Sequence, residues 1–99
     1  MTKKIFISGA ITNDPDYKTK FAEAEKHLLE QGYVVVNPAK LSEIMNPDEF
    51  KWEDYIKVTI TMLSTCDSIY MLQGWRESQG AREEELYAWV HNLEVIQQN

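Results

Sequence analysis

A chain of 99 residues with three tryptophans and 43% hydrophobic side chains is enough for one compact domain over residues 1–99 and too little for two. Sixteen acidic against ten basic residues leave a formal charge of −6, which repels polyanions and disfavours binding to a nucleic acid polymer. Cys66 has no second cysteine to pair with, no apolar run reaches the ~18 residues of a membrane span, and Met1 to Ile11 is too briefly apolar for a signal peptide; a reducing cytoplasm is expected.

The first element in chain order is a strand, Lys4 to Ser8, a short β-branched and aromatic run closed by Gly9. Asn13-Asp14-Pro15 then reads as an N-cap with proline at the first helical position, and Phe21, Ala24, Leu28 and Leu29 form an apolar stripe at helical spacing, ended by Gly32. Tyr33 to Val36 is a second strand, since consecutive valines favour a pleated backbone, and Asn37-Pro38 closes it. After a long loop, Asn46-Pro47-Asp48-Glu49 reads as a capped start for a second helix with Trp52, Tyr55, Ile56, Thr59, Ile60 and Leu63 on one face. Ser68 to Leu72 is a third strand and Gln73 to Gln79 a loop. Gly80 to Leu93 is a third helix carrying Leu86, Trp89, Val90 and Leu93 on one side, and Glu94 to Ile96 is a short fourth strand.

Strands alternating with helices imply a parallel sheet, because parallel neighbours need a crossover. The expected fold is a three-layer α/β sandwich of the flavodoxin-like kind, with strand order 2-1-3-4 and a topological switch between the first and third strands. Ligands in such folds bind outside the carboxyl ends of the strands at the switch, which here means Ser8 to Asn13 and Gln73 to Glu84.

Those two segments contain the residues with chemistry in them. Gly9 in Ser8-Gly9-Ala10-Ile11-Thr12 lets a ligand approach the backbone, although the same glycine suits an ordinary strand-ending turn. Neither a dinucleotide fingerprint nor a P-loop is present. In the second segment Ser78 is a competent N-cap, and amides at Gly80 and Ala81 at a positive helix end would receive an anion such as a phosphate. The same residues also fit a plain helix cap whose glutamates complement the dipole from solvent. Periodicity leaves open whether Glu84 or Glu85 faces inward. His27 and His91 lack partners at ligand spacing, so no metal is expected, and both should face solvent. Cys66 suits a small buried residue better than a nucleophile, and Asp67 suits a cap for backbone groups. Trp52, Tyr55 and Trp75 suit core or interface positions, with Trp75 also able to cover a ligand.

Taken together, Ile5 to Thr12, Asn37-Pro38-Ala39, Trp52 to Tyr55, Leu63 to Leu72 and the element Ser78-x-Gly80-Ala81-x-x-Glu84 resemble the nucleoside 2-deoxyribosyltransferase-like superfamily, above all its compact branch similar to deoxynucleoside 5′-monophosphate N-hydrolases. The resemblance covers nearly the whole chain. It implies the flavodoxin-like fold, Glu84 as nucleophile at an anomeric carbon, and hydrolysis or transfer according to whether water or a second base accepts the sugar. It further implies Ser78 as a phosphate ligand beside Gly80 and Ala81, a second wall of Gly9, Ala10 and Ile11, and Phe6 against the base or sugar. The implied partner is a small nucleoside or nucleotide, no cofactor is called for, and the expected assembly is a homodimer or higher homo-oligomer. Three positions depart from the pattern: Thr59 stands where the characterised members carry an aspartate, and Ala10 and Asn13 stand where relatives more often have proline and glycine. The alternative expectation is a non-catalytic module that binds a nucleotide or an ADP-ribose-like ligand.

Overall fold

The computed structural model describes residues 2–99; Met1, the first residue of the N-terminal stretch weighed above, lies outside them. Four strands, β1 (Lys4–Ser8), β2 (Val34–Val36), β3 (Ser68–Met71) and β4 (Glu94–Gln97), form one parallel sheet in the order β2-β1-β3-β4. The register pairs Ile5 with Val35 on one side and Ser8 with Met71 on the other. Helices α1 (Tyr17–Glu30), α2 (Trp52–Ser64) and α3 (Gln79–Val90) make the crossovers, so the expected three-layer α/β sandwich and its strand order are what the chain adopts.

Alternation along β1 divides the core in two. Ile5 and Ile7 point to α1 and pack with Phe21, Ala24, Leu28 and Ala39, while Phe6 points the other way to Leu63, Met71, Trp75, Ala81 and Ala88. Ile5, Phe6, Ile7 and Ser8 are fully buried, as a central parallel strand covered on both faces requires. Ser8 shares the α2/α3 face with Phe6, and its hydroxyl is therefore presented to the helices rather than to water.

Both early helices begin later than expected, for the same reason. Asp14 Oδ1 accepts the Asp16 amide at 2.9 Å, which holds Pro15 and Asp16 in a turn, and α1 starts only at Tyr17. Asn46 Oδ1 likewise accepts the Asp48 amide at 3.0 Å, and α2 starts at Trp52, where the Asp54 carboxylate takes the Lys51 amide at 2.9 Å. These short Asx turns compete with the helix for the same amides. Between β2 and α2 the long loop contains a 3₁₀ segment, Pro38–Glu43, capped by Asn37 Oδ1 on the Ala39 amide at 2.9 Å. Gly32, at φ +90°, does terminate α1.

The expected faces of two helices need correction. Leu29 is 51% exposed and lies off the buried stripe of α1. On α3 the side carrying Leu86, Trp89 and Val90 is turned outward, with exposures of 58%, 65% and 66%, and the buried residues are Ala81, Glu84 and Ala88. Small side chains let α3 sit close to the sheet and to α2; a Cβ on Gly80 would meet Ile56 Cδ1 at 3.2 Å. Among the described residues no helix is long and apolar enough to cross a membrane.

Candidate functional site

At the carboxyl ends of β1 and β3 the chain turns in opposite directions, which opens a crevice between the loop after β1 and the start of α3. The two strand ends are held together tightly. The Leu72 amide donates to the Ser8 carbonyl at 2.8 Å, and a Cβ at Gly9 would lie 2.9 Å from Leu72 Cδ1. Gly9 is thus required by the close approach of Leu72, in addition to bordering the crevice.

The crevice widens into a chamber of about 450 Å³. Its wall is built from α1 (Tyr17, Phe21), the 3₁₀ segment (Ala39, Leu41, Ser42), the following loop (Pro47, Phe50), α2 (Trp52, Tyr55, Ile56, Thr59) and α3 (Gly80, Ala81, Glu84). A more polar annex of about 510 Å³ adjoins it, bordered by Ala10, Asn13, Asp14, Lys20, Gln73, Gly74, Glu77, Gln79 and Arg82. Ile11, Thr12, Trp52, Ser78 and Gly80 line both, so the two spaces meet at the N-terminus of α3.

Among the described residues Glu84 is the one of a charged type on the chamber wall. It is 6% exposed, and the Ser8 hydroxyl donates to its Oε1 at 2.7 Å. Periodicity left Glu84 and Glu85 undecided; the structure turns Glu84 inward, while Glu85 accepts from Trp89 Nε1 at 2.6 Å on the outer side. Burial pushes the Glu84 carboxyl up to about 7, against the opposing pull of the Ser8 and Thr59 hydroxyls. Thr59 is buried on the same wall, its hydroxyl donating to the Ile56 carbonyl at 3.2 Å. Position 59, where the resemblance expects an aspartate, thus lies on the same wall as the carboxyl and offers a hydroxyl and no charge.

Ser78 caps α3, accepting the Ala81 amide at 3.1 Å, and the Arg82 amide bonds the Ser78 carbonyl. This corrects the expected pair of free amides: Ala81 is occupied, and Gln79 and Gly80 are the amides with no partner among the described residues. The cations of the annex are engaged too, Lys20 with Asp14 at 2.7 Å and Arg82 with the Arg76 carbonyl at 2.7 Å.

The structure brings together Gly9, Ile11, Ser78, Gly80, Ala81 and Glu84 on the chamber and places Ala10 on the annex. Two expected ligand contacts lie elsewhere. Phe6 is fully buried between the sheet and α2/α3, and Trp75 is buried beside it, with Nε1 donating to Gln97 Oε1 at 3.0 Å and Arg76 stacked 4.7 Å over its ring. Both are core residues because the α2/α3 face of the sheet needs large side chains to fill the space that small α3 residues leave. Sequence reasoning missed the wall contributed by residues 38–50 and Tyr17. Asn37-Pro38 at the carboxyl end of the second strand was the available signal, since that end of the sheet carries every other site residue.

Other titratable side chains serve the fold. Asp67 Oδ2 accepts the Lys4 amide at 2.9 Å, Cys66 is buried with its thiol pushed up by desolvation, and His27 and His91 are exposed. Among the described residues no three His, Cys, Asp or Glu side chains gather as a metal would need.

The chain belongs to the family described as a domain of unknown function (DUF4406), whose family model matches residues 3–97. A search of curated proteins finds no match.

Proposed function

We propose that this protein cleaves, or transfers across, the N-glycosidic bond of a deoxynucleoside or deoxynucleoside 5′-monophosphate, with Glu84 as nucleophile. The observation that carries the reading is a single buried carboxyl on the wall of a chamber of about 450 Å³, with one oxygen anchored by Ser8. Anchoring Oε1 leaves Oε2 to attack the anomeric carbon as the bond to the base breaks, and the resulting ester is then opened by water or a second base. Burial of the Glu84 side chain also raises the energy of the ionised carboxylate, which makes it a stronger nucleophile once the proton has left. The phosphate of a monophosphate would lie in the annex, where the Gln79 and Gly80 amides and the positive end of α3 support it.

The test is release of free base from a panel of deoxynucleotides, followed by chromatography, for the wild type and for Glu84→Gln. Base release that survives the substitution removes Glu84 from this role.

A second reading, a module that retains a nucleotide or ADP-ribose-like ligand without turnover, is favoured by one observation. Thr59, with its hydroxyl on the Ile56 carbonyl, gives the departing base no proton. Calorimetric binding without base release selects it. Under either reading the buried free Cys66 suits a reducing cytoplasm. The apolar ridge of Leu86, Trp89 and Val90 supports a homodimer or higher homo-oligomer, since a second copy would cover it.

A further inference from the structure

The chamber's chemistry narrows the base that the proposed reaction would release. Among the described residues its wall holds no aspartate, histidine, lysine or arginine, and its titratable groups are Glu84, Tyr17 and Tyr55. Glu84 cannot attack the sugar and protonate the base at once. The Tyr55 hydroxyl is tied to the Met45 carbonyl, and desolvation holds it above the usual phenol range. Tyr17 brings only a phenol, a group that as a class gives up its proton far less readily than a carboxylic acid or an imidazolium. Of the remaining hydroxyls, Ser42 and Thr59 donate to backbone carbonyls and Ser78 accepts the Ala81 amide; these, like the Thr12 hydroxyl on the same wall, are alcohols, far too weakly acidic to act as a general acid for a departing base. A neutral nucleobase that leaves without a proton departs as an anion, and a missing general acid typically costs 10²–10⁴-fold in rate.

The same wall is well suited to a positive ring. Tyr17, Phe21, Phe50, Trp52 and Tyr55 present five aromatic side chains to one cavity that also holds a carboxyl group. Aromatic faces attract cations, most strongly where water is excluded, and among the described residues no cationic side chain lines the chamber to compete. The charged groups nearest it, Asp14, Lys20, Glu77 and Arg82, belong to the annex, where Lys20 is paired with Asp14 and Arg82 is bonded to a carbonyl.

We infer that the aglycone this chamber selects is a cationic aromatic ring, such as a pyridinium or an N-alkylated purinium, whose glycosidic bond breaks with no proton supplied by the protein. The inference rests on the glycosidic reading of Glu84. In the first step Oε2 bonds to the anomeric carbon as the carbon–nitrogen bond breaks. The electron pair of that bond passes to the ring nitrogen and cancels its charge, so the base leaves neutral. In the second step water bonds to the same carbon, the ester carbon–oxygen bond breaks to restore the carboxylate, and one proton passes to solvent. A cation in the chamber also favours the ionised form of Glu84, so ligand binding and proton release are coupled.

Two measurements on the full chain test this. The first follows base release at pH 8 from 2′-deoxyadenosine 5′-monophosphate and its N7-methylated form, which has no ring N–H to lose and stays cationic at that pH, with spontaneous loss subtracted. At least about a hundredfold faster turnover of the methylated nucleotide is expected, abolished in Glu84→Gln. The second is calorimetric binding of the 1-methylnicotinamide cation at pH 6 and pH 8. With Glu84 titrating at about 7, affinity should rise roughly tenfold over that range, and Glu84→Gln should show no such rise. Comparable cleavage of both nucleotides overturns this inference and leaves the glycosidic reading standing. Binding with the expected pH dependence but no cleavage keeps the ligand class and removes the glycosidic reading. No pH-dependent binding and no cleavage overturns both.

Discussion

The two faces of α3 reverse the usual arrangement. Its inner face carries Ala81, Ala88 and the carboxyl of Glu84, while its outer face carries Leu86, Trp89 and Val90. Hydropathy alone would turn the helix the other way round. The difference shows that distance of approach, as well as apolar area, decides which face is buried. Only small side chains fit where α3 must lie close enough to the sheet for residue 84 to reach the β1 end. The cost of that geometry is a carboxyl out of water and a ridge of large apolar groups left in it.

The largest test of the comparison is chemical. Replacing Glu84 by Gln keeps the inner face nearly isosteric and is expected to lower base release roughly 10⁴-fold or more, the scale seen when a nucleophile is removed; a steady-state assay of freed base measures it. The second test is thermodynamic. Glu84 titrates at about 7 in the folded protein against an ordinary value of 4.5, so the folded state holds a proton that the unfolded chain has released between those pH values. Stability is therefore expected to fall as pH rises from about 4.5 to about 7, by about 3 kcal/mol in total, and to stay level above that window. Denaturant unfolding should show this slope in the wild type and not in Glu84→Gln, which should also be the more stable protein at pH 8.

Enlarging the inner face comes next. Ala88 is fully buried against Phe6, Leu63 and Ile69, and Ala88→Leu should cost about 1–3 kcal/mol by overpacking, read as a lower thermal midpoint. An unchanged midpoint would mean that α3 has slack and that close approach does not dictate its orientation. The smallest expected effect on folding lies outside. Leu86→Ser combined with Trp89→Ser should alter monomer stability by no more than about 0.5 kcal/mol while shifting sedimentation toward a lighter species. A large loss of stability without that shift would place the ridge within the monomer's own fold.

Legibility in the sequence followed how local each determinant was. Strand order could be read because the alternation of Ile5-Phe6-Ile7, the valines of β2 and Ser68 to Leu72 with helical segments admits few parallel topologies. The Ser78 cap could be read because a serine and an amide three residues later make it on their own. Helix starts could not, because Asp14 and Asn46 form turns that resemble caps in their residue types. The direction of Glu84 was hidden in a helix whose apolar residues lie on the opposite side. The 38–50 wall was hidden because a long loop leaves no period to read, and Ser8 as the partner of Glu84 joins residues 76 apart in sequence.

The annex carries a consequence for how ligands arrive. Its lysine and arginine are already bonded, and the protein as a whole carries a charge of −6, so a phosphorylated molecule meets repulsion at long range and finds the helix amides only on contact. Its capture should quicken as ionic strength rises and the repulsive field is screened, whereas an aromatic cation with no phosphate should be captured more slowly under the same change.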